Sequence, residues 1–183
     1  DIQLFFSYTK CMSLLFNKVN ISTIEEYENF CNKYPNVKYV DAIVSDTSGM
    51  IRGKRFPVKE IKKLFISGIQ FATAILLLDV NGDCPDAGGR GFSDGDPDTT
   101  FLPVAGSLQI MPWHKDNLGQ VLVTLQDTNF NDCIADPRNV LAKVWEKFDD
   151  LNLSLKIAFE LEFYLFKKRK NLFAKPESAI SND

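Results

Sequence analysis

Apolar and polar positions alternate in some stretches of the chain and recur at helical spacing in others. Ile24, Tyr27, Phe30, Cys31 and Tyr34 follow the helical period behind Ser22-Thr-Ile-Glu25, whose Ser and Glu have capping-box spacing. Pro35 ends that helix, because its ring disfavours helical geometry in the residue before it. Val37 to Ser45 alternates around Val40, Ala42 and Val44 as a strand, Asp46-Thr-Ser-Gly49 supplies a turn, and Met50 to Val58 returns as the second arm of a hairpin. Val58, Ile61, Leu64 and Phe65 form the stripe of a short helix closed by Gly68. The run Phe71 to Val80 is apolar almost throughout and reads as a central strand.

Asn81 to Asp98 is dense in Gly, Asp and Pro, which makes it a long loop of the kind that is usually functional or mobile. Leu118 to Asp127 sets Leu118, Gln120, Leu122 and Thr124 against Gly119, Val121, Val123 and Leu125, a strand with two unequal faces. Asp136-Pro137 is an N-cap followed by proline at the first helical position, and Val140, Leu141, Val144, Trp145, Phe148 and Leu151 give the helix behind it an apolar stripe. After Asn152 the alternation returns. Ile157, Phe159, Leu161, Phe163 and Leu165 point one way along a strand, and Glu160 and Glu162 point the other, roughly 7 Å apart from the usual rise per residue. Neighbouring carboxylates repel each other unless cations are present, and hard divalent cations take oxygen ligands of this kind. A solvated strand face carrying two acids explains the same pattern.

Composition narrows the class. With 183 residues the chain can bury one good core or two small ones. Its 45% apolar and 25% charged residues are ordinary for a globular protein. A net charge of -3 gives no electrostatic case for nucleic acid, and the cluster Lys167-Lys-Arg-Lys170 reads as the solvated end of a strand. The longest apolar run, Ala74 to Leu78, is too short to cross a bilayer. No secretory-signal pattern opens the chain; Met12 stands where an initiator could, so Asp1 to Cys11 read either as upstream translation or as part of an irregular arm over residues 1–21. Cys11, Cys31, Cys84 and Cys133 lack the paired spacing of a zinc site or disulfide framework. A cytoplasmic protein is expected from this cysteine usage. His114, the single histidine, is either a polar turn residue or a catalytic group without a nearby nucleophile context.

Ala135-Asp136-Pro137-Arg138-Asn139-Val140-Leu141, the following helix and Ala158-Phe-Glu-Leu-Glu-Phe-Tyr-Leu165 closely resemble the start of the catalytic domain in the glutamine synthetase family. The wording is nearest to the branch that ligates glutamate to polyamines, and the resemblance runs from about Tyr39 to Phe166. It also takes in Asp46, Gly49 and Arg52-Gly-Lys54, so that Arg52 and Lys54 stand either as substrate or subunit contacts or as the basic arm of a hairpin. In the ammonia-using enzymes of that family a strand ends in Asp-Gly-Ser-Ser and lines the neighbouring subunit's active site. Asp79 matches the Asp, whereas the Gly-Ser-Ser portion is missing, which favours an amine other than ammonia.

The resemblance implies an α+β chain with a helix and a β-grasp-like N-terminal domain over residues 22–107. Linking strands and the incomplete start of a catalytic β-sheet domain follow over 108–183. It implies Glu160 and Glu162 as ligands to Mg2+ or Mn2+, Asp79 as a catalytic-site residue, ATP as co-substrate, and glutamate with ammonia or an amine or polyamine as the joined pair. A homo-oligomeric ring is implied as well, with neither nucleic acid nor membrane as partner. On that reading the chain is the first part of an ATP-dependent carbon–nitrogen ligase. The alternative is a non-catalytic relative acting as a binding or structural module.

Overall fold

A computed structural model describes residues 19–86, 89, 91, 93–114, 117–126, 133, 135–169, 171 and 173–180. The chain divides into two compact units, residues 1–153 and 154–183. Most of the arm expected at 1–21 lies outside the described residues.

The first unit is an α+β fold on a mixed sheet. Its elements are α1 (Ile24–Lys33), β1 (Tyr39–Ser45), β2 (Ile51–Pro57), α2 (Lys62–Ser67), β3 (Ile69–Ala72), β4 (Asp98–Pro103), β5 (Gln109–Ile110), β6 (Leu118–Gln126) and α3 (Pro137–Asp150). The strands lie in the order β2-β1-β6-β4-β3, with β5 also on β6. β1 and β2 form the expected antiparallel hairpin, Tyr39 opposite Pro57 and Ser45 opposite Ile51. β6 joins the sheet together. Its first half runs parallel to β1, from Tyr39 opposite Leu118 to Ile43 opposite Leu122. Its second half runs antiparallel to β4, from Pro103 opposite Val123 to Thr100 opposite Gln126. The sheet therefore crosses position 107, where the sequence suggests a domain boundary.

Alternation decides which face is buried. Val40, Ala42 and Val44 of β1 and Val121, Val123 and Leu125 of β6 belong to one core with Tyr27 and Phe30 of α1 and Leu64 and Phe65 of α2. The Tyr27 and Phe65 rings meet at 5.7 Å between centroids. Tyr27 Oη donates to the Val58 carbonyl at 3.1 Å, and burial of the ring is the first cause that pushes its hydroxyl pKa up to about 12. α1 begins differently from the capping-box expectation. Thr23 is the N-cap and makes no side-chain cap bond. Glu26, rather than Glu25, accepts from Ser22 Oγ at 2.5 Å, from Gly106 N at 2.8 Å and from Leu108 N at 3.0 Å, which ties the helix to the segment before β5. Gly68 closes α2 at φ 75°, and a Cβ there would stand 2.5 Å from Thr100 Cγ2 and 2.6 Å from the Phe101 carbonyl oxygen, so only glycine fits.

The expectation of a central strand over Phe71–Val80 is corrected. β3 is a four-residue edge strand, and Thr73–Leu76 is a 3-10 turn. β4 begins only at Asp98, opposite Ala72, so the chain beyond Ala72 has no ladder partner there. Thr73 N and Oγ1 both donate to the Pro97 carbonyl at 3.2 Å instead, which turns the chain and buries Leu76.

α3 starts as its sequence suggests, with Asp136 as N-cap and Pro137 in the first turn. Its apolar stripe is open: Val140, Leu141 and Val144 are 44%, 42% and 43% exposed.

The second unit does not form the expected strand. Residues 157–165 carry no ladder, and among the described residues of this unit the one bridge pairs Phe166 with Ser178. Lys167 N donates to the Glu177 carbonyl and Ala179 N to the Leu165 carbonyl, both at 2.9 Å. Phe159, Leu161 and Phe163 are 76%, 79% and 74% exposed, so the alternating stretch has no core beneath it. A strand needs a partner along its length, and among the described residues of this unit the paired backbone reaches only the end of the stretch.

Candidate functional site

The hairpin turn and the entrance to the Asp-rich loop meet through one arginine. Asp46 is buried, and its Oδ1 accepts from Ser48 N at 2.9 Å and Met50 N at 2.8 Å. Its Oδ2 accepts from Arg52 Nε at 2.8 Å. Burial alone would raise the carboxyl, but the Arg52 hydrogen bond and the two backbone N–H groups outweigh it and hold the pKa below the ordinary carboxylate value. Arg52 reaches onward from β2, where Nη2 donates to the Asp79 carbonyl at 2.8 Å. Next to this bridge, Thr47 N and Oγ1 both donate to the Leu76 carbonyl at 3.1 Å.

Asp79 opens a tight turn. Its Oδ1 accepts from Asn81 N at 2.8 Å and Asp83 N at 2.9 Å, and its carbonyl accepts from Gly82 N at 3.0 Å. These bonds, the Asp83 N–H first, lower the carboxyl pKa below the ordinary carboxylate value. Oδ2 takes no part in them. The turn thus presents a fixed negative charge at the mouth of the loop.

Lys54, two residues beyond Arg52 on the same strand, sits with Nζ 4.2 Å from the centre of the Phe71 ring, an exposed cation on an aromatic face. The structure therefore joins Arg52 to Asp79 and leaves Lys54 on the Phe71 ring beside them. Glu160 and Glu162 lie in the second unit, and both are exposed. Their carboxylate oxygens are the donor type that Mg2+ or Mn2+ takes. Among the described residues, however, no group of three or more His, Cys, Asp or Glu side chains is placed to hold a metal ion. Two carboxylates fit such an ion in chemistry but do not close its shell. His114 stands in a turn, its N–H donating to the Met111 carbonyl at 3.1 Å.

A buried polar network absent from the sequence reading fixes α3 to the end of β6. Asp136 Oδ2 accepts from Thr124 Oγ1 at 2.7 Å and Leu125 N at 3.0 Å, while Oδ1 accepts from Arg138 N at 2.9 Å. Asn139 Nδ2 donates to the Leu125 and Cys133 carbonyls, both at 3.0 Å. A threonine in an apolar strand and an asparagine in the first turn of the helix are the signals that could have revealed it. A groove of about 680 Å³ lies between α1 and residues 106–110, and of its two carboxylates, Glu25 and Glu26, the second is already bonded to Gly106 and Leu108.

The model of the glutamine synthetase catalytic domain matches residues 134–182, the Asp136 helix together with the Glu160/Glu162 segment. Across 161 residues the chain is 34% identical to gamma-glutamylputrescine synthetase PuuA of Escherichia coli (strain K12), covering 87% of this chain and 34% of that protein. The chain belongs to the glutamine synthetase family. It is also 28% identical over 148 residues to glutamate–isopropylamine ligase of Pseudomonas sp, covering 80% of this chain and 32% of the relative. With glutamine synthetase of Pyrococcus horikoshii the identity is 29% over 132 residues, covering 72% and 26%. The crystal structure of a novel glutamine synthase homolog superposes with a TM-score of 0.54 at 22% identity, over 63% of this chain and 27% of that one, a likeness of fold alone. The chain spans about a third of the length of the curated relatives it matches. Among the described residues no helix is long and apolar enough to cross a membrane.

Proposed function

We propose that the chain is the N-terminal part of an ATP-dependent glutamate–amine ligase. The observation that carries this reading is the 34% identity with gamma-glutamylputrescine synthetase over 87% of the chain, beside the catalytic-domain match of residues 134–182, which takes in Glu160 and Glu162. In the reaction, the ATP γ-phosphoryl group passes to the glutamate γ-carboxylate, giving an acyl phosphate and ADP. The amine nitrogen then attacks the acyl carbon, the bond to phosphate breaks, and amide and inorganic phosphate leave once the nitrogen has given up a proton.

The sheet of β1 to β6 serves as a β-grasp-like N-terminal domain that extends past position 107, and the catalytic domain opens with the Asp136 helix. Glu160 and Glu162 would supply oxygen ligands to Mg2+ or Mn2+, which neutralises charge on the transferring phosphoryl group when bound. The remaining ligands come from beyond the described residues. Asp79 holds the cationic amine before its proton is lost, since a fixed carboxylate attracts an ammonium group. Because the turn reads Asp79-Val-Asn-Gly82 without the two serines of ammonia-using enzymes, a larger amine or polyamine fits better than ammonia. The Asp79 loop does this across a subunit boundary in a homo-oligomeric ring, where each site is shared. A cytoplasmic location accords with the free thiols of Cys31, Cys84 and Cys133.

The reading is tested by incubating the ligase that contains this chain with ATP, glutamate and putrescine. Amine-dependent ADP release with formation of the γ-glutamyl amide is expected. A non-catalytic module releases no ADP in any combination.

A further inference from the structure

The polar cluster at the hairpin does more than close a turn. Asp46 and Asp79 are far apart in sequence, yet a single guanidinium contacts the side chain of one and the main chain of the other at 2.8 Å each. The first contact is anchored: Asp46 is buried and held by two further backbone N–H groups. Arg52 is itself on a paired strand, with Val44 opposite it. The Asp79 turn has no such support. It lies beyond the end of the ladder, at the start of the long loop, and its own bonds are local ones to Asn81, Gly82 and Asp83. The bridge therefore fastens the start of the long loop to a paired strand, and it does so through the backbone of Asp79 itself.

We propose that Arg52, aimed by Asp46, is a positioning residue that sets where the Asp79 carboxylate stands and thereby tunes amine binding. This rests on the reading of Asp79 as part of the amine site. A lysine cannot replace the arginine. Its single ammonium has no fork and cannot span the Asp46 carboxylate and the Asp79 carbonyl together. Thr47, on the Leu76 carbonyl, steadies the approach to the turn and leaves the turn itself to Arg52.

Two readouts separate the parts of the claim. Hydrogen exchange at the Gly82 and Asp83 amides is followed in the ligase that contains this chain, carrying Arg52→Lys, Arg52→Gln or Asp46→Asn, with Val121 and Leu125 as internal controls for the fold. Exchange at Gly82 and Asp83 should rise by about tenfold in both Arg52 variants, the scale set by losing a charge-assisted hydrogen bond. In the ligase that contains this chain, the same variants should raise KM for the amine by about tenfold and leave KM for ATP and glutamate within about twofold. If Arg52→Gln loosens the controls as well, Arg52→Lys, which keeps the charge, carries the test. Unchanged exchange at Gly82 and Asp83, or full rescue by lysine, overturns the bridge. Faster exchange with an unchanged amine KM leaves the bridge standing and overturns the amine-site reading of Asp79.

Discussion

Replacing Asp136 with alanine removes one acceptor from a helix end and a strand end together. The carboxylate accepts from Arg138 N, Leu125 N and Thr124 Oγ1. Loss of the N-cap contact with Arg138 costs about 1 kcal/mol. Leu125 is fully buried, and its N–H would lose this acceptor inside the core, at roughly 1–3 kcal/mol. Thr124 Oγ1 can turn to Asn139 Oδ1, already 3.2 Å away, and adds little. Relief from burying a carboxylate offsets part of the total, so the net loss should be about 2 kcal/mol. For a unit of this size that lowers Tm by about 4–8 °C. Urea unfolding should show a lower midpoint with an unchanged slope, which marks a change in stability rather than in the unfolded chain. Asp136→Asn keeps an acceptor for the cap and should lose about half as much. A loss below about 0.5 kcal/mol for Asp136→Ala would mean that the network does not hold α3 to β6.

Acid sensitivity should trace partly to Asp46. Its carboxyl pKa is lowered in the folded chain, so its contribution is fully present above the ordinary carboxylate value and is lost as pH falls through the folded value. Stability should therefore decline below about pH 4 in the native chain and more shallowly in Asp46→Asn, which starts lower at neutral pH; parallel pH profiles from urea midpoints would contradict this. Gly68→Ala should cost about 3 kcal/mol, because a left-handed φ of 75° combines with contacts of 2.5 and 2.6 Å to the neighbouring strand. Gly106→Ala, at φ 74° with nothing within 4 Å, should cost only about 1 kcal/mol, and equal losses in the two would remove the packing argument.

The local elements were legible where pattern and punctuation agree. The β1–β2 hairpin follows from alternation on either side of Asp46-Thr-Ser-Gly49, and Gly49 takes the positive φ that turn asks for, 79°. The unequal faces of β6 were readable in the same way, Val121, Val123 and Leu125 turning inward. What period alone cannot supply is the partner. Phe71–Val80 is apolar enough for a strand, but the start of β4 at Asp98 decides where pairing stops. The alternation at Ile157–Phe166 is equally clear, and it forms no ladder because its paired backbone is limited to residues near Phe166. For the candidate site, Arg52 and Asp79 were both singled out, yet their contact spans 27 residues and two elements. Such a bridge depends on tertiary geometry and leaves no spacing signal. The resemblance carried Glu160 and Glu162, since two acids in an apolar alternation describe a solvated face just as well.

The central claim is that Glu160 and Glu162 are metal-binding carboxylates of a glutamate–amine ligase. Its most direct test is turnover against Mg2+ concentration in the ligase that contains this chain, with Glu160→Gln and Glu162→Gln compared to the native enzyme. Both side chains are exposed here, so each variant should fold with a stability change within about 0.5 kcal/mol. Each should also lose at least about 100-fold in kcat and require more Mg2+ for half-maximal rate. Near-native turnover and an unshifted Mg2+ requirement in Glu162→Gln would contradict the account.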